Sequence, residues 1–136
     1  MGIVTRNSHQ SVLCALRNFK RIDVADFDLI VSRDEPVDPK PSGDGIQLAA
    51  RRLDVAVEEV LMVGDYPIDI EAGYRAGALT VLLENHLPKA GEAVPSDFTV
   101  EHLADIQKSI RHGRPLPGGK LPNDLLEEFL VQFGIN

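Results

Sequence analysis

Two short apolar runs constrain the fold of this chain more than any other feature. Val60 to Val63 (VLMV) carries no polar side chain, and Leu79 to Leu83 (LTVLL) carries a single hydroxyl. Strands without alternation of apolar and polar residues are typical of parallel sheets covered by helices on both faces. Since Gly64 and Asp65 directly follow the first run, that strand ends at a polar loop. We therefore expect a buried parallel sheet.

Helical patterns alternate with these runs. Asn7 and Gln10 have the spacing of a helix cap and its reciprocal partner, Ser42 is placed to cap a second helix, and Gly77 to stop a third. The spacing predicts helices over 8–19, from Ser42 to about 53, over 67–76 and over 101–111, and further short strands over 2–5, 28–31 and 98–100.

Each predicted helix has an apolar face for the core. The predicted inward residues are Val12, Leu16 and Phe19 in the first helix, Ile46, Ala49, Ala50 and Leu53 in the second, Ile68, Ala72 and Ala76 in the third, and Leu103, Ile106 and Ile110 in the fourth. Strands that alternate with helices predict a three-layer α/β domain over residues 1–112. Cys14, with apolar neighbours, is predicted to be a small core residue.

The end of the chain differs in composition. Residues 113–122 (GRPLPGGKLP) hold three prolines and three glycines, which predicts a linker. Residues 123–136 are predicted to contain an amphipathic tail helix, with Leu125, Leu126, Phe129, Leu130 and Phe133 on one face. This helix either packs on its own domain or docks on another chain.

Charge and hydropathy exclude two classes of partner. The chain carries 14 Lys and Arg against 21 Asp and Glu, so its formal charge is -7. A surface of that sign repels nucleic acid and anionic lipid. The apolar runs are far shorter than the ~20 residues of a membrane span, and no signal peptide is visible, so a cytoplasmic location is expected.

Polar residues follow several predicted strands, at the edge where ligands bind in open α/β sheets. The candidate residues are Thr5, Arg6 and Asn7 after the first strand, Lys40 before the second helix, and Asp65 and Asp69 after the central strand. A hydroxyl beside helix-start amides and an ammonium group suit a phosphate, and carboxylates suit Mg²⁺. Asp65 and Asp69 alone are equally well explained as a turn residue and a helix-start carboxylate.

These residues lie in strings that resemble a known superfamily. IVTRNS, DPKPSGDGI and VGDYPIDIEAGYRAGALTVLL resemble the second, third and fourth motifs of the haloacid dehalogenase (HAD) superfamily, in its phosphoglycolate-phosphatase-like branch. The resemblance spans roughly Gly2 to His112. It implies a HAD-like Rossmannoid fold and a Mg²⁺-dependent phosphomonoester hydrolase that acts on a small phosphorylated metabolite through an aspartyl-phosphate. By resemblance, Thr5 and Lys40 are catalytic and bind phosphate, and Asp65 and Asp69 form the metal site.

The resemblance also has gaps. Members of this superfamily begin with a strand ending in DxDGT, whose first Asp attacks phosphorus, and no such string occurs in this chain. The small helical cap is absent as well, and Arg6 stands where many relatives have Asn. The chain therefore resembles the carboxyl-terminal part of such a phosphatase, and by itself we expect it to be inactive because the covalent step needs that carboxylate.

The strand that is absent would be central, between the strand at Gly2 and the strand at Val60. With strands about 4.8 Å apart, its absence opens a slot roughly 10 Å wide. Each buried backbone group that loses its hydrogen-bond partner costs roughly 1 to 3 kcal/mol. The total cost of two unpaired strand edges would therefore be similar to the free energy of unfolding of a whole domain, about 5 to 15 kcal/mol. We expect a segment from outside the chain, a symmetry mate or an amino-terminal part of a longer protein to fill the slot.

Two other functions compete with that of a hydrolase. A non-catalytic HAD-derived module that binds a phosphorylated ligand or a protein stays open. A receiver-like signalling domain does not fit, because its threonine and lysine should follow the phosphorylated aspartate, whereas Thr5 and Lys40 precede Asp65.

Overall fold

The computed structural model describes residues 1–84 and 95–112, which form five strands, four α-helices and two short 3₁₀ helices, Val24–Asp26 and Val57–Glu59. The strands are β1 (Gly2–Val4), β2 (Leu29–Val31), β3 (Leu61–Gly64), β4 (Leu79–Leu83) and β5 (Phe98–Val100). The helices are α1 (His9–Leu16), α2 (Asp44–Leu53), α3 (Pro67–Ala76) and α4 (Leu103–His112). Each predicted element of this part of the chain is present: α3, β4 and β5 have the predicted bounds, and the ends of the others are shifted by at most three residues.

All strand pairs are parallel, as the two apolar runs predict. β1 pairs with β2, with Ile3 opposite Ile30, and β3 pairs with β4, with Met62 opposite Thr80. β4 also pairs with β5, with Leu82 opposite Thr99. The α/β class with a parallel sheet between helices is confirmed.

The two faces of the sheet are covered by different helices. Met62 packs with Ile46 of α2, with Ala72 and Ala76 of α3, and with Ala78, which follows α3. Its neighbours Leu61 and Val63 point to the other face, where they pack against a cluster that contains Ile106 of α4. These two clusters give three layers, with α2 and α3 on one side of the sheet and α4 on the other.

The sheet is divided between β1 and β3. Within residues 1–84 and 95–112, β1 and β2 form one sheet, β3, β4 and β5 form another, and no pairing joins β1 to β3. Thr5 N–H donates to Val31 O, so the backbone groups of Thr5 face β2. Leu79 N–H donates to Val60 O, so the backbone groups of Val60 face β4. Because successive residues of a strand face opposite sides, the backbone groups of Gly2 and Val4 point away from β2, and those of Leu61 and Val63 point away from β4. We call the space between these two edges the slot. Its position is the one that the sequence predicts.

Two helix starts differ from the prediction by one residue. Ser8, not Asn7, caps α1, because the extended backbone of Ser8 lets its Oγ accept from Ser11 N–H at 3.2 Å. Gly43, not Ser42, precedes α2, although Ser42 Oγ still accepts from Asp44 N–H. Gly77 ends α3 as predicted, at a φ of 87° that favours glycine.

Four predicted core positions are wrong. Cys14 is exposed because it lies about 200° around α1 from the buried Val12. Phe19 is 57% exposed because α1 ends at Leu16. The remaining two residues are Leu103, which is 60% exposed in the first turn of α4, and Ile68, which is half-buried while Ile70 is buried.

Most of the other predicted inward residues are buried where the structure describes them, namely Val12, Ile46, Ala49, Ala50, Ala72, Ala76 and Ile106. Leu16 and Leu53 are only half-buried. The predicted linker 113–122, the predicted tail helix in 123–136 and the side chain of Ile110 lie outside the described residues. None of the described helices is long and apolar enough to cross a membrane.

An ion pair fastens the loop after β2 to α2. Arg52 Nη1 and Nη2 donate to the two carboxylate oxygens of Glu35 at 2.7 and 2.8 Å. This two-point hydrogen bond lowers the pKa of Glu35 below its ordinary value of 4.5. Because the pKa of the folded state is the lower one, the pair stabilises the fold above pH 4.5, and this contribution is lost as the pH falls through the lowered pKa.

We expect Arg52→Met to return the pKa of Glu35 towards its ordinary value and to weaken the acid resistance of the fold. NMR titration of the Glu35 side chain measures the pKa directly. Arg51→Met is the matched control, since Arg51 is exposed on the same helix and makes no ion pair with Glu35. An unchanged Glu35 pKa in Arg52→Met would show that the pair does not form in solution.

Candidate functional site

Lys40 bridges the two parts of the divided sheet. Its Nζ donates to Val4 O, at the end of β1, over 3.1 Å, and contacts Asp69 Oδ1, in the first turn of α3, over 2.5 Å. The Val4 carbonyl faces the slot, so the ammonium group lies at the carboxyl end of the slot. The two side chains of the ion pair are only 13% and 9% exposed. Solvent therefore screens the attraction within this largely buried pair less than it screens a surface ion pair.

Asp69 holds both Lys40 and the start of α3. Its Oδ2 accepts from Tyr66 N–H at 3.3 Å, while Oδ1 contacts Lys40. Glycine at position 64 makes this possible, because a Cβ there would overlap the Cβ of Asp69. Pro67 starts the helix, where its missing N–H costs nothing. The GDxxxD spacing thus brings a carboxylate back beside the end of β3.

Thr5, Arg6 and Asn7 form the turn between β1 and α1. The Thr5 hydroxyl accepts from Asn7 N–H at 3.1 Å, and Asn7 O accepts from Arg33 N–H at 3.0 Å. The side chains of Arg6 and Asn7 are exposed, and neither contacts Lys40. Thr5 adjoins Val4, which Lys40 contacts, so the hydroxyl and the ammonium group share this edge of the sheet.

Asp65 is the exposed carboxylate at the end of β3. It makes no hydrogen bond or ion pair with the other described residues, so its oxygens are open to a cation. In the described part of the chain, no group of three or more His, Cys, Asp or Glu side chains is arranged to hold a metal ion. One free carboxylate suits Mg²⁺, which keeps several waters, but further ligands must come from elsewhere. The role of Asp69 as a metal ligand stays a prediction, because its described contacts are to Lys40 and Tyr66.

Sequence reasoning missed the contribution of Asp34. Its Oδ2 accepts from His9 N–H at 2.8 Å and from Ser32 Oγ at 3.3 Å, so it joins the loop after β2 to the first turn of α1. This contact fixes the position of the turn that carries Thr5. A serine and an aspartate directly after a strand are the local signal, since both side chains bind nearby backbone N–H groups.

A surface depression of about 550 Å³ lies beside the start of α2, away from Lys40. It is lined by Glu35, Pro36, Val37, Asp38, Asp44, Gln47 and Arg51. None of the predicted site residues lines it, and its excess of carboxylates repels phosphate. The chemistry of the slot edge therefore identifies the candidate site better than cavity size does.

Comparison with known proteins shows which family the chain is similar to. The family model for haloacid dehalogenase-like hydrolases matches residues 1–83. The chain is 35% identical over 108 residues to the pyrophosphatase PpaX of Bacillus cereus, covering 78% of this chain and 49% of that protein. It is also 35% identical over 117 residues to an uncharacterized hydrolase of Saccharomyces cerevisiae, covering 82% and 52%.

Solved structures share the fold. A haloacid dehalogenase-like hydrolase from Bacteroides fragilis superposes with a TM-score of 0.66 at 30% identity, covering 77% of this chain and 50% of that one. The chain thus spans about half the length of the relatives that it matches.

The two carboxylates of the GDxxxD string should differ sharply in their effect on stability. We expect Asp69→Asn to lower the free energy of unfolding by about 3 kcal/mol, because it leaves the Lys40 ammonium group buried without its counter-charge. Asp65→Asn, the matched control, removes an exposed charge and should change it by less than about 0.5 kcal/mol. Urea unfolding followed by circular dichroism measures both values. Equal losses in the two variants would contradict the assigned roles.

Proposed function

The chain belongs to the haloacid dehalogenase-like hydrolase family, and from this premise we propose that it supplies the phosphate-binding and metal-binding half of a Mg²⁺-dependent phosphoric ester hydrolase. The observation that carries the proposal is the Lys40 ammonium group, held by Val4 O and Asp69 at the mouth of the slot. The largely buried ammonium group of Lys40 lies at the carboxyl end of the slot, where it can attract a phosphate group that binds there.

Lys40 would neutralise charge on both the transferred phosphoryl group and the attacking carboxylate. Its position is set by Asp69, so the ammonium group needs little reorganisation when charge develops in the transition state. The Thr5 hydroxyl and the amides at the start of α1 would donate to phosphate oxygens. Arg6 and Asn7 are exposed beside them and would contact the outer oxygens of the substrate.

Mg²⁺ would be held by Asp65, with Asp69 as the predicted second acidic residue of the site. When bound, the ion would offset negative charge on the phosphoryl oxygens. The exposure of Asp65 and its lack of a partner among the described residues support its role as the direct ligand. Asp69 would act chiefly through Lys40.

The covalent step would require a strand ending in DxDGT, a string that does not occur in residues 1–136. An aspartate on a strand in the slot would attack phosphorus, the bond to the ester oxygen would break, and the leaving alkoxide would take a proton from a second aspartate in its carboxylic acid form. The carboxylate left on that aspartate would then accept a proton from water, which attacks the aspartyl-phosphate and releases inorganic phosphate. By itself the chain should hydrolyse little or nothing.

The substrate class is a small phosphorylated metabolite. The name of the Bacillus relative makes inorganic pyrophosphate a reasonable first substrate beside a phosphomonoester. Residues that would select the organic part of a substrate are expected largely in a cap, which this sequence does not contain.

We expect an upstream strand that ends in Asp-x-Asp, fused to the chain, to produce Mg²⁺-dependent release of phosphate. Asp65→Asn in this fusion should reduce the rate by at least about a hundredfold, because the phosphoryl charge loses its main cation. Phosphate release from p-nitrophenyl phosphate and from pyrophosphate measures the activity.

The matched control is the same fusion with Asn-x-Asn in its strand, which should fold equally well but remain inactive. Activity that survives Asp65→Asn unchanged would contradict the proposed metal site. Phosphate binding without turnover in the Asp-x-Asp fusion would instead favour a non-catalytic phospholigand-binding module.

Binding of Mg²⁺ should depend on the same strand. We expect calorimetry of the chain alone to detect no micromolar site, since Asp65 offers a single free carboxylate. The Asp-x-Asp fusion should bind the ion at least about tenfold more tightly than the Asn-x-Asn fusion. A micromolar site in the chain alone would refute this division of ligands.

A further inference from the structure

Three large apolar side chains are exposed between α1 and β2. Phe19, Ile22 and Val24 are 57%, 42% and 41% exposed. They lie within six successive residues, so they are concentrated in one short segment. We call residues 17–24 the α1–β2 patch. Grouped exposed apolar side chains mark interaction surfaces more often than single ones do.

The same segment is basic in a chain of net charge -7. Arg17, Lys20 and Arg21 are exposed and make no ion pair with the other described residues. The acidic residues beside them are already used, because Asp23 Oδ1 accepts from Ala25 N–H and Asp26 Oδ2 accepts from Asp23 N–H. The patch therefore suits an apolar segment edged with carboxylates.

One segment of the chain has this composition. Residues 124–133 (DLLEEFLVQF) place Leu125, Leu126, Phe129, Leu130 and Phe133 on one predicted helical face. Asp124, Glu127 and Glu128 are its only charged residues. The other stretch outside the described residues, 85–94 (NHLPKAGEAV), has no comparable apolar face.

The topology places the end of α4 on the same face and edge of the sheet as the patch. α4 lies on the face of the sheet opposite α2 and α3. Crossover connections between parallel strands are right-handed. The β1–α1–β2 connection runs across the sheet in the opposite direction to β3–α3–β4, so its helix must lie on the opposite face from α3. α1 therefore lies on the same face as α4. Both helices run back from the carboxyl ends of strands, so α4 and α1 end at the same edge of the sheet.

The linker is long enough for this arrangement. Counting the slot as one strand, five spacings of about 4.8 Å separate β2 from β5, or about 24 Å. Residues 113–122 reach up to about 33 Å when extended. An attached segment also acts at a high effective concentration, so modest contacts suffice to hold it.

We propose that residues 124–133 of the same chain dock on the α1–β2 patch, with their apolar face on Phe19, Ile22 and Val24 and their carboxylates beside Arg17, Lys20 and Arg21. The docked segment covers the amino edge of the sheet, on the far side from Lys40. This proposal does not depend on the phosphoryl chemistry at the slot.

Limited trypsin digestion tests the proposal, because the basic residues of the patch are themselves cleavage sites. The full chain with Lys120→Gln, which removes the trypsin site between α4 and the segment, is compared with the same variant ending at Pro122. We expect removal of the segment to accelerate cleavage after Lys20 and Arg21 by at least about tenfold, since docking blocks local opening. Cleavage after Arg75, within α3, reports global unfolding and should change little. Equal acceleration at all three sites, or none at the patch, would overturn the proposal.

Charge reversal identifies the contact. Glu127→Lys with Glu128→Lys should expose the patch to trypsin nearly as much as truncation does. Glu58→Lys with Glu101→Lys is the matched control, because it makes the same change in net charge at exposed positions away from the patch. An equal effect of the two double variants would contradict docking by charge complementarity.

The single cysteine distinguishes docking within one chain from docking between copies. Cys14 is exposed on α1, close to the patch, and accepts a nitroxide label without further substitution. We expect the label to broaden the amide signals of residues 125–133 in the same molecule, and not in unlabelled, isotope-enriched chains mixed with labelled ones. Broadening only in the mixture would assign the patch to a second copy and overturn the proposal.

Discussion

The contact of Lys40 with Val4 and Asp69 is the interaction on which the rest of this structure depends. Lys40 connects the end of β1 to α3, the helix after β3, at the place where no hydrogen bonds join β1 to β3 among the described residues. A buried ammonium group is stable only with a counter-charge and hydrogen-bond acceptors, and the first turn of α3 and the end of β1 supply both. The geometry of the candidate site and the alignment of the two sheet parts therefore share one cause.

The slot couples fold and chemistry. The edges of β1 and β3 leave backbone groups of Gly2, Leu61 and Val63 directed towards a strand position that none of residues 1–84 and 95–112 fills. Lys40 lies at the carboxyl end of that position, where an added strand would present its last side chains. In the proposed hydrolase, one segment would complete the hydrogen bonding of the sheet and also bring the attacking carboxylate.

Local sequence signals predicted the elements well and their faces less well. The apolar runs at β3 and β4 located the parallel sheet, and Gly77 located the end of α3, because these signals act within a few residues. Helix periodicity wrongly predicts that Cys14 and Phe19 are core residues, because it does not determine where α1 ends or which element packs against it. Asp69 shows the same limit: a carboxylate lies on the buried face of α3 because Lys40, 29 residues earlier in the chain, meets it there.

The sequence by itself determined the class of fold, the family and the residue types at the edge of the sheet, because run length, motif spacing and charge are local properties of the chain. Only the tertiary structure decided that Lys40 binds the Val4 carbonyl, that Asp69 is occupied by Lys40 while Asp65 is exposed, and that Asp34 fixes the turn before α1. These facts depend on contacts between residues far apart in sequence, whose partners are selected by packing and not by any local pattern.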